Sequence, residues 1–151
     1  MRAVLLTAPT MGGYQMFLCV VNNPDTRAAD KYEIARVIYA ETSGASLRSV
    51  EALASMIYNA ARMRGCRPVE IVRDADMFES RCAGTTRNAL FSAPPDNAGM
   101  QMCLRVVQKM LNENLPDGCC GATRFHHDTD IPAWAISRGY IADIDGMLFY
   151  L

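Results

Sequence analysis

Apolar residues recur along the chain at two different periods. Residues 2–8 and 14–21 are short runs rich in Val, Leu and Phe, and the "PTMGG" between them is turn chemistry because Gly takes positive φ without strain. This pattern predicts a two-stranded hairpin. "NNPDTRAAD" reads as a connector, and Asp30 followed three residues later by Glu33 has the form of a capping box, so a first helix is expected from about residue 31. Its apolar positions Ile34, Val37 and Ile38 follow the i, i+3, i+4 rule, and the next place on that stripe is Glu41. A carboxylate is therefore expected on the core-facing side of the helix's last turn, with Gly44 ending the helix.

Ser46 is placed to cap a second helix whose stripe is Val50, Leu53, Ala54, Ile57 and Ala61, with Gly65 as its stop. Pro68 suits the first turn of a short helix over roughly 68–77, and "CAGTTRNALFSAPPDNAG" is rich enough in turn formers to read as a long surface loop. From Ala98 a further helical face is expected through Met100, Leu104, Val107 and Leu111, broken by Pro116 and Gly118. The terminal "MLFYL" reads as a strand. Helices in the middle with short apolar strands at both ends predict an α+β fold, mainly helical, with a small antiparallel sheet built from the N- and C-terminal segments.

Half of the 151 residues are apolar, which suits one domain with a sizeable core: an N-terminal hairpin or extension over 1–29 and a core over 30–151. Fifteen basic against sixteen acidic side chains leave no field of one sign, so nucleic acid and anionic membranes are not expected partners. The longest unbroken apolar run, Met16–Val21, falls far short of the ~20 residues of a membrane span. Arg2 followed by "AVLLTA" has the outline of a signal peptide, but Pro9, Gly12 and Gly13 interrupt it and no A-x-A site follows.

Glu41 carries the candidate chemistry. An acidic side chain on an apolar stripe must pair with a base, hold its proton or work. Desolvation favours the neutral form of a carboxyl group, which makes it a proton donor. The bland alternative is a residue that frays into solvent or bonds to an Arg.

The segment "ARVIYAETSGASLRSVEALASMIYNAA" resembles the opening motif of the SleB and CwlJ family of cell-wall hydrolases, the spore-cortex-lytic-enzyme type. In that motif a helix ends in Tyr-Gly-Glu-Ala-Arg-Gly-Glu and a second helix finishes in Leu-Asn-Arg; Tyr39, Glu41, Gly44 and Asn59 occupy the matching positions. "ADMFES", with Phe78 and Ser80, "CCGATRFHHDTDIPAWA" and "GMLFYL" resemble later blocks of the family, in order, over residues 33–150. Where the family has Arg-Gly-Glu after its glutamate this chain has Ser43, Gly44 and Ala45, and Ala60 stands in place of the Arg after Asn59.

The resemblance implies a lysozyme-like glycosidase that cuts peptidoglycan strands between N-acetylmuramic acid and N-acetylglucosamine, with Glu41 as general acid and base. It implies a lytic transglycosylase, which closes an anhydro ring and needs no second carboxylate. A retaining hydrolase would want one about 5 Å away, and neither Glu51 nor Glu79 stands out for it. Phe125, Trp134 and Tyr39 are candidates to stack on sugar faces. Asn59 is a candidate to bond an N-acetyl group or orient Glu41, and His126 a candidate to line the groove. The groove is expected between the 78–97 loop and the 121–134 segment. No cofactor or metal is expected.

Three rivals stand beside this reading. Cys119, Cys120, His126 and His127 invite a zinc site, although adjacent ligands point their side chains apart. Cys82 or Cys120 with His126 as base would make a cysteine peptidase. A non-catalytic member would bind peptidoglycan or form a structural part of a phage particle or secretion machine. The six cysteines leave the redox compartment open, and the site of action implied is the cell wall or periplasm, reached by an unspecified route.

Overall fold

The computed structural model describes residues 24–151, and among them five α-helices precede a three-stranded antiparallel sheet. The fold is mixed and mainly helical. The hairpin expected over 2–8 and 14–21, and Cys19 with it, lies outside the described residues.

Helix α1 spans Pro24–Thr42 and so starts a turn and more before the expected residue 31. Proline is at home in a first turn, where its missing N–H would have had no partner anyway. Asp30 and Glu33 do not cap it. Asp30 accepts a 2.8 Å bond from Arg67, and Glu33 takes a two-pronged bond from Arg73 at 2.8 and 3.0 Å. The stripe Ile34, Val37, Ile38 and Glu41 faces inward as its spacing requires: the three apolar residues are fully buried and Glu41 is 2% exposed.

Helix α2 (Leu47–Arg64) matches its end signals. Ser46 accepts from the Ser49 amide, and Gly65 closes the helix at φ 67°. Val50, Leu53, Ala54, Ile57 and Ala61 all sit in the core, where a fully buried Leu or Ile contributes about 1.5–3 kcal/mol. Helix α3 covers only Pro68–Ile71, short of the expected 77. It stops because the Asp74 carboxylate accepts the Asp76 amide at 2.8 Å, a local bond that competes with helix continuation.

The 82–99 stretch is not a continuous loop. After a 3-10 turn at Glu79–Arg81, Thr85 accepts the Asn88 amide and starts α4, Thr86–Ser92. Helix α5 (Ala98–Leu111) is where expected, but its buried face is Met100, Cys103, Val106, Val107 and Met110, with Leu104 and Leu111 only half-buried. Helix α5 packs against both α1 and α2, so its inner face is wide, and Met and Cys fill it as ordinary hydrophobes.

The sheet has the order β1-β3-β2, from Arg124–His127, Met147–Tyr150 and Ala142–Ile144. Strands β2 and β3 form a hairpin around Asp145 and Gly146, whose φ values of 51° and 81° suit the Asp-Gly turn that matches strand twist. Ser46 donates a 2.6 Å hydrogen bond to Asp145, tying this turn to the start of α2. Phe125 stands opposite Phe149 in the ladder, and with Phe78 they form a fully enclosed aromatic cluster. No helix among the described residues is long and apolar enough to cross a membrane.

Candidate functional site

Four elements converge on the end of α1. The helix stops sharply after Glu41: Ser43 and Gly44 both have positive φ, 59° and 61°, and a Cβ on Gly44 would lie 2.7 Å from the Gly99 Cα. Only glycine serves there, because α5 begins in direct contact with the turn. The last carbonyls of α1 are satisfied from α4, where Arg87 donates to the carbonyls of Glu41 at 2.7 Å and Ala40 at 3.2 Å. Its charge also complements the negative end of the helix dipole.

Among the described residues the Glu41 carboxyl itself has two hydrogen-bond partners, one from the Glu79–Arg81 turn and one from strand β1. The Ser80 amide donates to Oε2 at 2.8 Å, and His127 Nε2 lies 2.7 Å from Oε1. The Ser80 amide is aimed by α4, since Asn88 donates to the Ser80 carbonyl at 2.8 Å. The Ser80 hydroxyl, also buried, has no partner among the described residues. Glu41's side chain is wholly enclosed, whereas His127 is 16% exposed, so His127 is the link between the acid and the surface.

Loop 114–123 feeds β1 in the right register. Gly118 packs on α2 beside Ala52, and its amide donates to Ser55 Oγ at 3.0 Å. The Asp117 carboxylate accepts the amides of Cys119 and Gly121 at 3.0 and 2.7 Å. Burial opposes its charge, but these bonds hold it below the ordinary range. Asn59 completes the anchor by donating to the Ala122 carbonyl at 3.1 Å.

The candidate residues fall into two groups. Glu41, Ser80 and, from the 121–134 segment, His127 come together. Phe78 and Phe125 are core residues with no free face for a sugar. Tyr39 is buried and accepts a 3.2 Å bond from Asn97, and Asn59 is engaged with the 119–122 loop. Trp134 is half-buried under the Arg124 guanidinium, 3.9 Å from its ring centre.

His126 points to the other face of the sheet from His127. Its Nδ1 donates to the His127 carbonyl at 2.7 Å, and its Nε2 lies 2.9 Å from the Tyr150 hydroxyl. The sequence offers His127 only as a possible zinc ligand, whereas in the structure it is the residue that meets Glu41. Strand alternation was the available signal, because Phe125 on the core face puts His127 on that face too.

The rival chemistries find no support in this geometry. Among the described residues no three His, Cys, Asp or Glu side chains are grouped to hold a metal ion. The two histidines are committed to Tyr150 and Glu41, and Cys82 donates to the Ala75 carbonyl, so neither Cys82 nor Cys120 has a histidine base. Cys119 is pushed up to about 12 by burial and then by the Asp117 charge, which leaves it an unreactive thiol. The five described cysteines are all free.

No protein-family model, curated protein or solved structure matches this chain.

Proposed function

We propose that this protein cleaves the glycan strands of peptidoglycan between N-acetylmuramic acid and N-acetylglucosamine, as a lysozyme-like lytic transglycosylase with Glu41 as the proton-transferring group. The observation that carries the reading is a carboxyl enclosed at the end of a helix, held by one main-chain amide and one imidazole, with no second carboxylate bonded to it among the described residues. Glu79, one candidate for a second carboxylate, is instead paired with Arg87 at 3.3 Å.

The two partners fix where the proton travels. An amide only donates, so Oε2 must accept from Ser80, and the transferable proton belongs on Oε1. When Glu41 is protonated, neutral His127 accepts from Oε1; when it is ionised, Nε2–H donates to it. His127 has to swing aside for Oε1–H to reach the glycosidic oxygen. The bond to C1 of the muramic acid then breaks, and the Oε1 carboxylate takes the proton from the sugar's own C6 hydroxyl as that oxygen closes the anhydro ring. One carboxyl group serves both steps, as acid and then as base.

A second reading is favoured by the enclosure of Glu41 under His127: a non-catalytic module that binds peptidoglycan or forms part of a phage particle or secretion machine. Digestion of purified sacculi by the wild type and by Glu41→Gln, with products read by mass spectrometry, separates the two. Anhydro products from the wild type alone are expected. Reducing-end products would make the enzyme a hydrolase, and sacculus binding without products from either protein would sink the catalytic reading.

A further inference from the structure

Beside the Glu41 site, a cleft of about 330 Å³ opens between the turn after α3 and the start of β1. Arg64, Arg124 and Trp134 line it on the side of α2 and the sheet, Asp74 and Asp76 on the side of the turn, and buried Phe125 contributes apolar surface. It is reached along β1. Arg124 is three residues before His127, about 10 Å at the usual strand rise.

The arginines in this cleft are unusually idle. Among the described residues no carboxylate lies within salt-bridge range of Arg124 or Arg64, and neither guanidinium makes a hydrogen bond. Arg124 instead lies over the ring of the single tryptophan of the chain, Trp134, 3.9 Å from its centre. Burial first, then the nearby Arg138 and Arg64, lower its pKa, and Asp74 across the cleft offsets this only in part. A guanidinium seated over an aromatic ring and free of hydrogen bonds from the described residues has N–H groups to offer a bidentate carboxylate. Opposite it, Asp74 spends one oxygen on the Asp76 amide, and the Asp76 side chain is exposed.

A neutral N-acetylated sugar answers neither set of charges. A ligand carrying carboxylates and an ammonium group answers both. In the substrate proposed above, that ligand is the peptide attached to the lactyl group of muramic acid, which bears free carboxylates and, on its diamino acid, a free amine. We propose that this cleft binds the stem peptide of peptidoglycan, with Arg124 and Arg64 taking its carboxylates and Asp74 and Asp76 its amine. The assignment rests on the glycan-cleavage reading for the identity of the ligand, while the binding it requires is independent of catalysis.

The test is calorimetric titration of the full chain with a soluble L-Ala–D-Glu–diaminopimelate–D-Ala tetrapeptide, with Trp134 emission followed in parallel. Saturable binding is expected, weakened about tenfold or more by Arg124→Gln, the loss of one charge-assisted pair. Asp76→Asn, a change at an exposed side chain, weakens it too and guards against a folding defect in the first variant. No heat with the tetrapeptide, or undiminished binding by both variants, overturns the proposal. Cleavage rates on intact strands and on strands stripped of peptide by an amidase then separate the two readings. Equal wild-type rates without peptide binding leave cleavage standing and remove the cleft's role. Peptide binding without cleavage of either substrate leaves the cleft standing and removes cleavage.

Discussion

The two faces of strand β1 carry adjacent histidines that do opposite things. On one face His126 has both ring nitrogens committed, stacks on Tyr150 at 5.4 Å between ring centres, and meets Trp134 edge-on at 5.8 Å. Its Nδ1 donates to a carbonyl and its Nε2 meets the Tyr150 hydroxyl, so both ring nitrogens are held in place by the fold. On the other face His127 has a single short bond, to Glu41, and part of its ring reaches solvent. A histidine with both ring nitrogens engaged by neutral groups is a fastener; one that faces a carboxyl group, which can give or take a proton, is the one suited to the chemistry proposed. Neighbours in sequence thus differ in role because a strand sends alternate side chains to opposite surroundings.

The largest effect expected lies on the working face. Glu41→Gln keeps an acceptor for Ser80 but cannot release a proton, so anhydro product formation falls by about 10²–10⁴-fold, with the melting temperature little changed. Retained cleavage by this variant would move the chemistry elsewhere. Next comes the pair of histidines. His126→Phe leaves the Tyr150 hydroxyl without the imidazole and the His127 carbonyl with the longer 3.4 Å bond from the Asp130 amide, and costs about 1–3 kcal/mol in chemical denaturation, with cleavage per folded molecule preserved. His127→Gln still donates to Glu41 but cannot pass a proton on, so it slows cleavage about tenfold, with stability nearly intact. If the two variants exchanged phenotypes, the contrast between the faces would be wrong.

The smallest effect uses a second carboxylate of α1 as a reference. Glu33 is held below the ordinary 4.5 chiefly by its hydrogen bond from Arg73 against the cost of burial. Its folded value lies below its unfolded one, so its contribution is complete above the unfolded pKa and disappears as pH falls through the folded value. Glu33→Gln should therefore lower the melting temperature at neutral pH by the equivalent of about 1 kcal/mol or less, because Arg73 is half-exposed and the pair is screened. The deficit should vanish in acid, which melting curves across that range would show. A deficit that persisted there would mean that packing, rather than charge, holds that end of the helix.

How much of this was legible in the sequence follows from the range of each interaction. The inward face of α1 and both ends of α2 are local matters of spacing and capping, and Ile34, Val37, Ile38, Ser46 and Gly65 declare them. Helix α4 was masked by the turn formers around it, although Thr85 before "TRNALF" carries the capping signal. The Asp145-Gly146 turn was equally available and unused. Asp30 and Glu33 looked like a cap and became ion-pair partners, because Arg67 and Arg73 lie in a segment whose approach no local pattern announces. The bond between Glu41 and His127 spans 86 positions and depends on the register of β1, so chemistry singled out the acid but left its partner unseen.

The bond that holds Oε2 comes from the main chain of Ser80, and this has a consequence for how the site tolerates mutation. Any residue except proline supplies the same N–H, so position 80, which is fully buried, can change to another small side chain such as Ala or Gly while its contribution to the acid persists. A comparison of homologous chains that scored side-chain identity would pass over this position, and one that scored the exclusion of proline would find it.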